Sequence, residues 1–326
     1  MWITFLTGAV DIGIALLLGC LGETITEKSG HLNLGIPGIM SVGALGGCLG
    51  ASLYIDWFGN NVVGLFLILF CILMCILFSV LMGLIYCVLA VTLRSNQNIT
   101  GLMLTTFGCG LTDFAMNTPN FINSSNVSDA SKYFINWLPF KDSLQGLASL
   151  FFGRGVLVYL AIALAIVAGF VIKRTRIGLN LRAVGENPAT ADAAGISVTA
   201  YRYIATCIGS AIAGIGGFYY IIENSSGGVG NYTNIPNIGW LSIALVIFTM
   251  WKPILSIFGS FIFGALYKLP TSISGFGVIL SMPQMKIFGL LPYVMTIIVL
   301  IIISALDSKE NQPPASLGLN YFREER

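Results

Sequence analysis

The sequence predicts an all-α polytopic membrane protein, and three observations carry that prediction. Hydrophobic residues make up 56% of the 326 and charged residues only 9%, with a mean hydropathy of +0.87; a soluble domain carries about a quarter charged residues. Apolar runs near the ~20 residues that a bilayer demands recur from end to end. Between two of them stands one polar stretch, "LRAVGENPATADAAGI" at 181–196, too polar for a span and punctuated like a short helix in a loop.

Taken in order, the runs fall at roughly 4–22, 34–53, 62–92, 98–116, 153–172, 202–222, 237–251, 253–269 and 287–305, about nine helices with eight to ten allowed. No basic leader and small-residue cleavage site mark the first run as a signal peptide, so it is kept as a helix. Gly30, Gly35, Pro37 and Gly38 interrupt the entry to the second run. Freed backbone groups there need protein or a water-filled path to satisfy them, which makes Asn33 a candidate pathway residue. The small residues that follow, Gly43, Ala44, Gly46, Gly47 and Gly50, suit close helix packing. The fourth run offers Asn98, Thr100, Thr105, Thr106 and Phe107, an uncharged polar and aromatic set suited to passing a polar solute. Phe218, Tyr219 and Tyr220 near the end of the sixth run also fit such a pathway, although Tyr219 and Tyr220 read first as interfacial anchors. Only Met250–Pro253 divides the seventh and eighth runs, which are either two tilted spans or a broken re-entrant pair. Residues 1–326 form a single transmembrane domain, with loops at 117–150 and 173–201 and a tail at 306–326.

Basic residues set the orientation. Placing 173–201 in the cytoplasm puts eleven of the sixteen Lys and Arg inside, among them Lys28, Arg94, Arg182, Arg202, Lys252, Lys309, Arg323 and Arg326. Lys132, Lys141, Arg154, Lys268 and Lys286 stay outside. The 117–150 segment is then an extracellular interfacial loop and the C-terminus is cytoplasmic.

Few groups could do chemistry. Asp11 and Asp113 are the acids within apolar runs; for Asp11 an ordinary hydrogen bond near the outer interface is expected, and no basic residue of the spans pairs with it. The single His31 cannot build a zinc site alone and reads as an elbow residue beside Glu23, Glu27 and Lys28. Seven cysteines without metal spacing read as small packing residues. A net charge of +2 with scattered basic residues gives no electrostatic footprint for nucleic acid. A membrane enzyme would need a nucleophile, base or metal cluster, and an ion-coupled transporter would need charges at mid-membrane; the sequence offers little of either.

Asn187 is a good helix N-cap, Pro188 suits the first helical position, Ala189 to Ala194 favour helix, and Gly195 can take the left-handed stop. The short helix has a low-relief face of Ala189, Ala191, Ala193 and Ala194, with Arg182, Glu186 and Asp192 at its rim. A docking surface and a solvated connector both fit these properties.

Around it, "GLNLRAVGENPATADAAGISVTAYR" resembles the coupling loop of permeases from the branched-chain amino acid and monosaccharide branch of ABC importers. "GETITEKSGHLNLGIPGIMSVGALGG" is similar to the entry of their second span; "NQNITGLMLTTFGCGL" and "PPASLGLNYFREER" resemble nucleoside and simple-sugar permeases served by a lipoprotein receptor. The resemblance implies a non-enzymatic transport subunit of a bacterial cell membrane. Its ATPase contact would be Gly185, Glu186, Asn187, Pro188, Ala189, Asp192, Ala193, Ala194 and Gly195. Its partners would be a separate ATP-binding ATPase subunit, a second homologous permease and an extracellular substrate-binding lipoprotein, and it needs no cofactor of its own. The absence of a G-x-x-x-x-G-K-[ST] loop agrees with ATP bound elsewhere. Nucleosides lead as the solute, with ribose- or galactose-type sugars second.

Overall fold

The computed structural model describes residues 2–137, 153–273, 281–306 and 312–322. The first four runs are α1 (Trp2–Lys28), α2 (Ile36–Phe58), α3 (Gly64–Cys87, continued by a π turn at Val88–Thr92) and α4 (Gln97–Asn117). After α5 (Ser124–Ile135) come α6 (Val156–Arg174), α7 (Arg176–Glu186), α8 (Pro188–Ala193) and α9 (Val198–Tyr219). The chain continues through α10 (Ile235–Phe248), α11 (Pro253–Ser272), α12 (Met282–Phe288) and α13 (Leu291–Leu306).

Among the described residues, eight helices are long and apolar enough to cross a bilayer. The expected seventh span is a half-span: the 14 residues of α10 rise ~21 Å, short of the ~30 Å hydrocarbon core. Pro236 stands in its first turn, and Met250 and Trp251, with φ of 53° and 55°, end it before Pro253 opens α11. Adjacent left-handed residues that are not glycine cost roughly 1–2 kcal/mol each, so the break is held by its surroundings; the Trp251 indole donates to Glu27 Oε2. The last expected run begins earlier, as α12, and resumes as α13 beyond Gly289 and Leu290.

α2 and α9 form the centre, with 83% and 78% of their apolar windows enclosed against 11% for the α12–α13 window. The ridge Leu65, Leu69, Leu73, Leu77 and Leu81 of α3 is exposed at four-residue spacing, as a lipid-facing stripe should be. Glycines let the central helices touch backbone to backbone: Gly22 of α1 meets Gly209 of α9, and a methyl carbon on Gly108 of α4 would stand 2.7 Å from the Gly38 carbonyl oxygen of α2. Small residues in the second half of α2 pack as expected, with Gly47 against the Phe218 ring. Cys20, Cys48, Cys71, Cys75 and Cys87 are buried.

Four expectations change. The 117–150 segment is not loop throughout: Asn123 caps α5 by accepting from the Ser125 amide, and Val127, Ala130, Ser131 and Phe134 are buried along one face. Phe134 meets Phe218 edge-on at 5.5 Å. Tyr219 and Tyr220 are therefore core residues, 1% and 7% exposed, and not interfacial anchors, because α5 covers that end of α9. Asp11 has a basic partner, the nearly enclosed Arg154 guanidinium; Arg154 stands at the start of the expected 153–172 run, just ahead of α6, so a basic residue of the spans does pair with it. His31 is fully enclosed, because the tail folds over the elbow that would otherwise face water.

Lys28, Arg94, Lys173, Arg174, Arg176, Arg182, Arg202 and Lys252 all lie at one end of the bundle, where α1, α6 and the π turn after α3 end and α4, α9 and α11 begin. Lys132, Arg154, Lys268 and Lys286 lie at or towards the other end. Lys141, Lys309, Arg323 and Arg326 fall outside the described residues.

Candidate functional site at the basic end

The polar stretch becomes two helices. Thr175 caps α7 by accepting from the Gly178 amide at 3.2 Å, and Asn187 caps α8 by accepting from the Thr190 amide at 3.0 Å. Gly195 ends the turn after α8 with φ of 84°, a conformation that glycine adopts without steric cost. The pair has its own small core: Val184, Ala191 and Val198 are buried together, with Ala183, Ile196, Tyr201 and Tyr321 packed around them. A load on α8 therefore reaches the foot of α9 through direct packing.

The tail laces this layer to the rest of the bundle. The Ser316 amide donates to the Gly185 carbonyl at 3.0 Å, and the Gly318 amide to that of Gly30 at 3.2 Å. Asn320 Nδ2 donates to the Arg94 carbonyl at 2.7 Å, Gln97 Nε2 to the Leu319 carbonyl at 3.3 Å, and the Tyr321 hydroxyl to Asp192 Oδ2 at 2.8 Å. The α1–α2 elbow, the start of α4 and the α7–α8 pair thus share one strap.

Of the nine residues assigned to the ATPase contact, Glu186, Asn187, Ala193, Ala194 and Gly195 are exposed, and Pro188, Ala189 and Asp192 are half-buried. Gly185 points inward: a side chain there would strike the Lys28 carbonyl. Glu186 Oε2 accepts from the Ala315 amide at 3.3 Å, so it faces the strap as well as the exterior.

The pathway candidates are not brought together. Asn98 and Phe107 lie on the exposed face of α4, beside Thr106. Thr100 and Thr105 are buried, donating to the carbonyls of Asn96 at 2.8 Å and Leu34 at 2.7 Å. Asn33 is wholly enclosed and borders no open surface of this chain. Its amide donates to Glu23 Oε1 and its Oδ1 accepts from the Gly35 amide, both at 2.9 Å, an Asx turn that opens α2. At the far end of the exposed α4 face, Tyr232 donates to Asp113 Oδ1 at 2.6 Å, and Asn117 Nδ2 reaches Asp113 Oδ1 at 3.0 Å.

Under the elbow, His31 packs edge-on against Tyr86 at 6.0 Å, and Tyr86 donates to the Leu32 carbonyl at 2.7 Å. Burial, then the Arg202 charge, hold the His31 imidazole well below its usual range, so it is neutral. Sequence reasoning missed Tyr86, Trp251, Arg202 and the strap. Tyr86 and Trp251 carried no spacing signal; the amide- and hydroxyl-rich run Ser316–Tyr321 could have announced a tail that docks.

Known proteins resemble the chain over most of its length. A family model described as "Branched-chain amino acid transport system / permease component" matches residues 4–300. A putative glucose ABC transporter permease protein, TsgC13 of Haloferax volcanii, is 33% identical over 81% of this chain and 76% of its own. The nucleoside ABC transporter permease protein NupC of Lactococcus lactis is 31% identical over 94% and 93% of the two chains. The guanosine ABC transporter permease protein NupQ of Bacillus subtilis is 27% identical over 95% and 94%.

Proposed function

The chain belongs to the family of branched-chain amino acid transport system permease components, and from that premise we infer that it is the membrane-spanning subunit of an ATP-driven importer for nucleosides. The observation that carries the solute is the near end-to-end similarity to NupC and NupQ, whose names specify nucleosides and guanosine. A simple sugar is the second reading, supported by the higher identity, over a shorter stretch, to the Haloferax protein.

In this reading the basic end is cytoplasmic, following the excess of Lys and Arg there, and the tail ends on that side. A separate ATPase subunit grips the exposed tip of α8 at Asn187, Ala193, Ala194 and Gly195. Its closure pushes α8 against Ala191, Val184 and Val198, and so against α9. Because α9 touches α1 at Gly209–Gly22 without side chains between them, the displacement passes into the bundle, and rigid helices rock between two packed states. A second permease chain would face the exposed α4 surface that carries Asn98 and Phe107, and an extracellular lipoprotein would deliver the solute, so little selectivity is needed within the membrane.

The test is uptake of labelled uridine and adenosine by cells with and without this gene, with excess ribose as competitor and either ATP or the proton gradient depleted. Gene-dependent, ATP-dependent uptake that ribose does not compete supports the reading. Ribose competition moves the solute to sugars, and dependence on the gradient alone overturns the ATP-driven mechanism. Glu186→Lys, which reverses a charge at the α8 entrance, should abolish uptake while the protein remains in the membrane.

A further inference from the structure

A polar cavity of about 200 Å³ opens at the basic end, where the foot of α9 meets the π turn after α3, α8 and the tail. Its polar lining is Arg94, Asp192, Ser197, Thr199, Arg202 and Tyr321. Arg202 is the anomaly. It is 3% exposed, yet it joins no ion pair among the described residues. Its Nε has no hydrogen-bond partner, and its Nη2 reaches the Leu319 carbonyl only at 3.5 Å. Its electrostatic neighbours are His31, which is neutral, and the hydroxyls of Tyr86 and Tyr321.

A buried guanidinium with no counter-charge is strongly disfavoured, and this one borders open polar space. Two further features favour negative charge in that space. Arg94 stands on the rim, its guanidinium carbon 4.8 Å above the Phe322 ring. The 22-residue helix α9 begins at the cavity wall, presenting the positive end of its dipole and the hydroxyls of Ser197 and Thr199. Among the described residues of the lining the one acidic group is Asp192, which is engaged by the Tyr321 hydroxyl at 2.8 Å. Among the described residues, two guanidinium groups and a helix terminus therefore face a single carboxylate.

We propose that this cavity binds a phosphate-type oxyanion, carried by inorganic phosphate or by the head group of an anionic lipid. A tetrahedral oxyanion accepts several N–H bonds at once from forked guanidinium donors, which chloride does not match in geometry. Bound there, it would join Arg202 of α9 to Arg94 and to the tail beside α8, and so stiffen the strap that positions α8. The proposal does not depend on which solute the chain carries or on what drives it.

The experiment is thermal unfolding of the purified full-length chain in nanodiscs of neutral lipid, with inorganic phosphate titrated against chloride at constant ionic strength. A ligand that binds only the folded state raises the transition by mass action, so a saturable rise is expected. Arg94→Ala, at an exposed position, should weaken the apparent phosphate affinity about tenfold. Arg202→Gln should abolish the response; should it fail to fold, Arg94→Ala decides. In nanodiscs containing phosphatidylglycerol without phosphate, a stabilisation that needs Arg94 and removes the response to free phosphate would make the lipid head group the source. Absence of any response in both lipid systems overturns the proposal, as does a response that neither substitution changes.

Discussion

Replacing Gly108 by alanine tests the backbone-to-backbone crossing that seats α4 on α2. A methyl carbon at Gly108 would lie 2.7 Å from the Gly38 carbonyl oxygen and 2.9 Å from its Cα. Both are backbone atoms, so relief requires the two helices to separate by about 0.5–1 Å, which costs roughly 1–3 kcal/mol in a close-packed interior. Gly110, two residues further along the same helix, has nothing within 4 Å of the same position. Gly→Ala raises helix propensity alike at both sites, so the difference between the two variants isolates the packing cost. The assay is reversible unfolding in mixed micelles titrated with sodium dodecyl sulfate. Gly108→Ala should lower the folded-to-unfolded ratio about 5- to 150-fold relative to Gly110→Ala, at 1.4 kcal/mol per factor of ten. Equal midpoints for the two variants would refute the α2–α4 crossing and with it the outward placement of Asn98 and Phe107.

Three further outcomes follow from the same geometry. Asp11→Asn should destabilise by about 1–3 kcal/mol in the same assay, below the 3–5 kcal/mol of a fully buried pair because Asp11 is a quarter exposed; Arg154→Gln added to Asp11→Asn should recover part of the loss. Removal of residues 312–326 takes away the strap and should speed tryptic cleavage at Arg182 at least tenfold, since losing even one or two of its hydrogen bonds lowers the local opening cost by ~1.4 kcal/mol; an unchanged rate would show that α7 and α8 hold themselves. His31, kept neutral in the fold, binds fewer protons than the unfolded chain below about pH 6.5. Stability should therefore fall as pH drops through that value, by at most ~1.4 kcal/mol per pH unit, and His31→Phe should remove that component of the pH dependence.

What the sequence disclosed was whatever has a period or a cap. Apolar length revealed eight of the spans, and Asn187, Pro188 and Gly195 marked α8 residue by residue. Less visible were features made of distant partners. Nothing local distinguishes Arg202 from a helix-end arginine solvated by water, and only the tail's return over the elbow encloses it. The pathway set failed to cluster for a related reason: composition reports that a helix has polar residues but not which carbonyls they meet, and Thr105 answers Leu34 across 71 positions. α5 was legible in principle, since Val127, Ala130, Ser131 and Phe134 recur at helical spacing behind an Asn cap; a polar setting hid it.

The strap also has a consequence for biosynthesis. Gly30 belongs to the first hairpin of the chain to be made, yet its carbonyl waits for the amide of Gly318, and the loop so closed spans nearly the whole polypeptide. The spans can insert and pack as they emerge, whereas the layer that carries α8 can be sealed only after translation has passed Tyr321. A ribosome that stalls earlier would leave a bundle with most of its membrane core and an unfastened layer at its basic end, a distinction that proteolytic surveillance could read.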